Sequence, residues 1–414
     1  MKKRVICFFA SVFLLSCGCA KTPNEVKTDM RGYNSNPGSV LMSGFEYASA
    51  PDILKDKGGV LQKKYQNLTM PSRLSIQPVS AIPLMTFRVK SGFEKNYRAV
   101  MSLFFDEATL ARQKIQYDED ETWSNSYSFM SDTDKISAAV FGSGSVLIRK
   151  ADAYDLKFNN EACERVSLIH VDRGENENIS YPLLDKKYTV ADAVSYVNKW
   201  LAEKWAKFEP GFTFQVKTVI VRKLDPTHDF YQITAEKLYK GIPLDELIDV
   251  QSKHDSTGTY FTCIQNYISL QMLTSGTISS FSNYYGYDIA GEDTSSKKCI
   301  TLKSATDTVE QKLSGFKNIR ISDIHLKYTL CPVYDHTVIY TNKEKTKGYT
   351  KQSVHSSGFT VTSRPVYAFI IDADPKEYQK PDGKIYEDDP RKYVYVDALT
   401  GEIRLRMDFV RHAS

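Results

Sequence analysis

Apolar and polar positions follow two rhythms along this chain, after an opening stretch that follows neither. Residues 5–15, VICFFASVFLL, are almost unbroken apolar sequence behind the basic start Lys2-Lys3-Arg4. A run this short does not cross a hydrocarbon core about 30 Å thick, which needs roughly 20 residues. Residues 20–44 have no period, and their Asn, Ser, Gly and Pro predict a flexible tether. Helical spacing then appears three times. Phe93, Tyr97, Val100, Phe104 and Leu110 predict a helix over 92–114, with Ser91 and Glu94 at capping-box spacing. Val190, Ala193, Val194, Val197, Leu201 and Trp205 predict a second over 190–208, from Thr189 and Asp192 to Pro210-Gly211. A third spans 302–316, capped by Thr301 or Ser304.

Period-two and β-rich stretches fill the remainder, at 73–90, 124–130, 136–150, 212–224, 229–245, 267–285, 319–334, 364–373 and 391–409. Phe212, Phe214, Val216 and Thr218 alternate cleanly, which buries one strand face. Phe141-Gly142-Ser143-Gly144-Ser145 reads as a tight hairpin; the remaining residues of a phosphate-cradling loop are missing.

The second and third helical segments also match each other. Thr189, Val190, Ala193, Val197 and Leu201 align with Thr301, Leu302, Ala305, Val309 and Leu313 at one offset of 112 residues. The turns Leu273–Ile278 and Leu399–Ile403 are alike as well. The expected fold is therefore α+β: a helix packed on an antiparallel sheet, repeated, each sheet burying one face. The expected organisation is a signal over 1–16, a tether over 17–44, an N-terminal α+β domain over 45–170, and repeated units over 171–298 and 299–414.

Composition excludes several classes. With 414 residues, 42% hydrophobic and 25% charged, the chain is neither a disordered tail, a collagen nor a multi-span membrane protein. Its net charge of +4 falls to about +1 without Lys2, Lys3 and Arg4, so no nucleic-acid partner is expected. Twenty-six Tyr and 21 Phe favour strands.

Leu14-Leu15-Ser16-Cys17, after the basic and apolar runs, resembles a bacterial lipobox. The resemblance implies cleavage before Cys17 and lipidation there; Cys19 fits the pattern less well. Two or more acyl chains anchor stably. The expected location is a membrane surface outside the cytoplasm, with the membrane as a partner through the N-terminal lipid.

Candidate chemistry is sparse. Cys7, Cys17, Cys19, Cys163, Cys263, Cys299 and Cys331 form no CxxC and no Cys/His spacing for zinc, and their disulfide pairing stays open. The seven His show no HxH, HxxxH or HExxH spacing, and no GxSxG occurs. The acidic runs Asp118–Glu121 and Glu387–Asp389 read as solvated loops. Asp372-Ala373-Asp374 with Asp382-Gly383 lacks EF-hand spacing. No catalytic set, metal site or cofactor is expected.

One resemblance bears on function. Val366–Ile371 followed by Tyr393-Val394-Tyr395-Val396-Asp397-Ala398-Leu399-Thr400-Gly401-Glu402-Ile403 resembles the PepSY signature. Tyr239-Lys240-Gly241-Ile242-Pro243-Leu244 and Gly276-Thr277-Ile278 are similar to the strand and turn of the propeptide module of thermolysin-like peptidases. The similarity runs over about 188–409 in pattern. It implies turn roles for Gly241, Pro243, Gly276, Asp397 and Gly401, cystatin-like units, and a non-catalytic role as chaperone, inhibitor or extracytoplasmic regulator. The expected function is a membrane-anchored, non-enzymatic lipoprotein that binds a protein or peptide, by strand addition at a sheet edge. The alternative is a cell-envelope enzyme or small-ligand sensor with no recognisable motif.

Overall fold

Twenty-two strands organise the computed structural model, which describes residues 44–119, 125–156, 163–175, 178–255, 258–264, 266–293, 297–314, 319–333, 360–372 and 392–405. In chain order they are β1 (Tyr47–Ala48), β2 (Leu68–Thr69), β3 (Leu84–Val89), β4 (Gln116–Asp118), β5 (Ser126–Ser131), β6 (Ile136–Phe141), β7 (Val146–Arg149), β8 (Arg165–His170), β9 (Ser180–Pro182), β10 (Lys187–Thr189) and β11 (Thr213–Lys223). Then follow β12 (Asp229–Tyr239), β13 (Ile242–Asp255), β14 (Gly258–Ile264), β15 (Tyr267–Met272), β16 (Ser280–Asn283), β17 (Tyr287–Asp293), β18 (Cys299–Ile300), β19 (Ile319–Val333), β20 (Thr360–Ile371), β21 (Lys392–Asp397) and β22 (Ile403–Leu405). Among the described residues the α-helices are α1 (Lys57–Gln62), α2 (Tyr97–Met101), α3 (Glu107–Arg112), α4 (Val190–Trp200) and α5 (Leu302–Lys312).

The strands pair in two runs. One is antiparallel throughout, in the order β4-β5-β6-β7-β16-β15-β12-β11-β8. The other runs β17-β3-β20-β19-β13-β14, with β21 and β22 continuing from β20. Here β13 and β2 both lie parallel to β19. The hairpin from β12 to β13 joins the runs, pairing Tyr239 with Ile242 and Leu238 with Pro243. Its two turn residues, Lys240 and Gly241, have φ of 48° and 81°. A two-residue turn with both φ positive matches the natural twist of the strands, and glycine adopts it without a Cβ clash.

The expectation of an α+β fold, one helix on a small antiparallel sheet in repeated cystatin-like units, is overturned. Strand far outweighs helix, and the strands form one large mixed sheet network. The two matched helices exist, and their Thr189 and Thr301 caps accept from the backbone N–H of Asp192 (3.0 Å) and Ser304 (3.2 Å). The strands around them do not close into separate sheets. Arg88 of β3 pairs with Thr360 of β20, and Ile148 of β7 with Phe281 of β16. Such pairings leave no local signal, because hydrophobic period reports which face is buried and not which strand lies beside it.

The helix expected over 92–114 is broken. A 3₁₀ turn over Phe93–Asn96 leads into α2, and α3 starts afresh at Asp106, whose side chain accepts from the Thr109 N–H at 2.6 Å. No Ser91–Glu94 capping box forms: Gly92 occupies the cap at φ 70°, with no side-chain cap bond. The break lets both Phe104 and Phe105 enter the core.

Two large hydrophobic cores result. One has all its own buried residues within 93–281 and contains α4 through Val190, Ala193, Val194 and Val197. The other contains α5 through Leu302, Ala305, Val309 and Leu313, and collects buried residues from 48–89, 212–244, 287–330 and 361–398. The first is nested within the chain span of the second, and strands from 45–170 serve both. Phe87 lies at the joint, 5.5 Å from Phe212 and 6.1 Å from both Tyr239 and Tyr287 between ring centroids. Beside this joint a wholly buried ion pair, Lys237 Nζ to Glu209 Oε2 at 2.8 Å, satisfies two charges in apolar surroundings.

Candidate functional site: a tyrosine column on an open edge

At the far edge of the antiparallel run, β4 places Tyr117 directly opposite Tyr127 of β5, with ring centroids 4.9 Å apart. Tyr127 and Phe129 share one face of β5, since side chains alternate along a strand. Phe129 enters the core beside Phe105, so Tyr127 stands at the rim where that core reaches the surface. Helix α2 is anchored by the fully buried Val100 and Met101. It lays Tyr97 flat on Tyr127, 4.1 Å away with 16° between ring planes. Arg98, exposed, flanks Tyr97: its guanidinium carbon is 5.8 Å from the Tyr97 ring centre, and its Nε donates to the Tyr97 hydroxyl at 3.0 Å. The order is thus Arg98, Tyr97, Tyr127, Tyr117. The last ring is 47% exposed, with no further ring or cation recorded on it among the described residues.

Glu94 completes the site. It precedes Tyr97 by three residues in a 3₁₀ turn, where positions i and i+3 eclipse. Its side chain is buried, and Oε2 has no hydrogen-bond partner. The Tyr117 phenol is raised above its ordinary pKa, first by partial desolvation and then by the charges of Glu119 and Glu94.

Among the described residues no strand pairs with the outer side of β4. At the opposite side of the run, β8 is closed at one end by Glu175: its Oε2 accepts from the His170 N–H at 2.7 Å, and its own N–H donates to the His170 carbonyl. The Tyr287 N–H of β17 is taken by Glu209. All three residues of β4 are exposed, and among the described residues β4 pairs with β5 alone.

The other polar clusters tie elements together. Asp323 of β19 accepts from the Ser75 N–H (2.9 Å), the Ile324 N–H (2.8 Å) and His325 Nε2 (3.1 Å). Burial opposes its ionisation, but bonds from His325 and Ser75 win and bring its pKa down to about 2. His325 also lies 4.0 Å from Asp172, in the segment after β8. Burial pushes the Cys299 thiol up to about 12, which makes it an inert core residue rather than a nucleophile.

The residues singled out from sequence are scattered across the sheet. Cys17 lies outside the described residues, as do Asp120, Glu121 and the second acidic run. Gly241 and Pro243 form and follow the β12–β13 turn, and Gly276 sits in the turn after β15. Asp397 ends β21, where Oδ1 accepts from the Leu399 and Thr400 N–H groups and Oδ2 accepts from Arg364 Nε at 2.7 Å. Gly401 closes that turn against the Phe45 ring. These are framework roles, and the structure does not bring the five together. The Phe141–Ser145 loop is a hairpin turn whose Gly144 backs onto Gly286, with no open cradle. Sequence reasoning missed Tyr117, Tyr127 and the buried, unpartnered Glu94. The usable signal was a pair of tyrosines flanking the acidic stretch after 117, at positions a hairpin sets opposite each other.

Among the described residues no group of three or more His, Cys, Asp or Glu could hold a metal ion, and no helix is long and apolar enough to cross a membrane. No protein-family model matches the chain, and no curated protein matches it either.

Proposed function

We propose that this chain is a membrane-anchored extracytoplasmic lipoprotein, lipidated at Cys17, whose folded part binds an extended peptide or protein segment without catalysis. The observation that carries the binding reading is the free β4 edge beside an exposed tyrosine column. Backbone groups on an unpaired strand edge template an added strand, and the adjoining side chains set specificity. The basic, apolar, small-residue-Cys order of the N-terminus supports the anchor.

Two measurements test this. Peptides selected on the purified folded region should lose affinity when alternate backbone amides are N-methylated, because only every second N–H faces the receiving strand. Binding indifferent to N-methylation, or no selected peptide, refutes strand addition. For the anchor, the intact mass of the membrane form should correspond to a chain starting at a diacylated Cys17. A soluble product without lipid, starting near residue 20, refutes it.

A further inference from the structure

We infer that His325 is a proton-operated clasp: a hydrogen on Nδ1 as well as Nε2 draws Asp172 onto the ring and ties the turn after β8 to β19, and loss of that hydrogen releases the tie. The device joins the two strand runs away from the Phe87 joint, and it is independent of what the β4 edge binds.

Three observations converge. The first is placement. Ile324 and Leu326, on either side of His325, belong to one large core, while Val171, next to Asp172, packs against the other. The His325 and Asp172 side chains are largely enclosed, at 11% and 10% exposure, so solvent screens them little. The second is the position of the ring hydrogen. The Asp323 carboxylate accepts from the Ser75 N–H and hydroxyl, from the Ile324 N–H and from His325 Nε2. An ionised carboxylate only accepts, so Nε2 is the donor, and Nδ1 of the neutral ring is then a bare acceptor. It faces another acceptor, Asp172 Oδ2, at 4.0 Å, beyond hydrogen-bond reach. Protonating Nδ1 turns this opposition into a charge-assisted bond, for which about 2.7–2.9 Å is ordinary. The third is that the Val171–Arg173 turn is incompletely bonded: Asp172 Oδ1 and Arg173 Nε are both buried without hydrogen-bond partners.

The other charged groups around the ring are committed elsewhere. Lys327, two residues on along the same face of β19, lies 3.8 Å from Asp245, and Arg173 donates to the Ser322 hydroxyl. Arg73, before β3, donates to the Arg173 carbonyl, and β20 sets the apolar Ala368 opposite His325. His170, at the end of β8, is buried, and Glu175 accepts from its N–H. Carboxylates ordinarily titrate near about 4 and histidine near about 6.5, so between about pH 5 and 8 the imidazole is the group that changes. The clasp is closed at the acidic end of that range and open at the alkaline end.

The test uses the lipid-free folded chain with ¹⁵N-labelled histidine, followed by long-range proton–nitrogen spectra across that pH range. The neutral His325 ring should carry its hydrogen on Nε2. Asp172→Asn should move the His325 titration midpoint down by about half a pH unit or more, as loss of a neighbouring opposite charge requires. Exchange of the Gly174 and Glu175 amides, which donate to the Val171 and His170 carbonyls, reads the turn itself. Corrected for intrinsic rates, their protection should fall roughly threefold or more from the acidic to the alkaline end, the size of a modest ion pair. That dependence should vanish in both Asp172→Asn and His325→Gln. Glutamine keeps a donor for Asp323 but takes no proton, and unchanged tryptophan fluorescence shows that each variant is folded. Should His325→Gln fail to fold, Asp172→Asn decides alone. Hydrogen on Nδ1 in the neutral ring, an unmoved midpoint in Asp172→Asn, or protection that does not change with pH overturns the inference.

Discussion

Gly401 shows how a single atom can be forbidden. Its φ is 74°, and a Cβ there would run into the Phe45 ring. Gly401→Ala should therefore cost about 1–3 kcal/mol, from strain and overpacking together. Adding Phe45→Leu should recover part of the loss, because only the steric component is relieved. Thermal melts of the two variants check this, and no recovery in the double variant refutes the contact. Asp323 makes an equally local statement about pH. Its folded pKa of about 2 lies below the ordinary aspartate value of about 3.9. Folding therefore favours the ionised form, and its contribution is complete above about pH 4 and lost as pH falls toward 2. A difference near two units corresponds to about 2.6 kcal/mol. Urea midpoints measured from pH 2 to 5 should fall less steeply in Asp323→Asn. An unchanged acid slope contradicts the assignment.

At the scale of elements, what could be read in advance was local. Val190, Ala193, Val194 and Val197 announce α4, and Leu302, Ala305 and Val309 announce α5, because spacing and cap lie within one short window. Thr189→Ala and Thr301→Ala should each destabilise by about 1 kcal/mol, with Ser at either position nearly neutral. Chemical denaturation measures both, and equal losses for Ala and Ser would point to packing instead of capping. The break before α3 was legible too: Asp106 precedes Thr109 by three residues as an N-cap, but the continuous apolar stripe through Phe104 hid it. Most of the site was out of reach. Tyr97, Tyr117 and Tyr127 become neighbours only after a helix packs on a hairpin, and Glu94 looked like a cap because its spacing from Ser91 suited one. Strand identity was visible through composition, but strand neighbours were not. The β3–β20 and β7–β16 ladders depend on the whole sheet.

For the whole molecule, nesting implies cooperation. The cores share Phe214, which packs against both, and they meet around Phe87, Phe212, Tyr239 and Tyr287. Trp200 and Trp205 report one core, and the buried Cys299 thiol reports the other. Tryptophan fluorescence and peptide-resolved labelling of Cys299 should therefore give the same urea midpoint. Lys237→Ala, which strands Glu209 at the joint, should cost several kcal/mol and separate the two midpoints. Coincident midpoints in that variant would show that the ion pair does not couple the cores.

The pairing of β3 with β20 also sets a timetable. Residues 86–88 pair with Thr362, Val361 and Thr360, about 270 positions further along the chain. At roughly 5–20 residues per second, a ribosome needs about fifteen seconds to a minute to supply them. Until then Phe87 lacks its Val361 partner, although β17, made about 200 positions after β3, already offers the other edge. The core around α4 can assemble meanwhile, since all its buried residues come from 93–281. Birth order and burial order thus run in opposite directions for β3: it is among the first strands made and among the last enclosed.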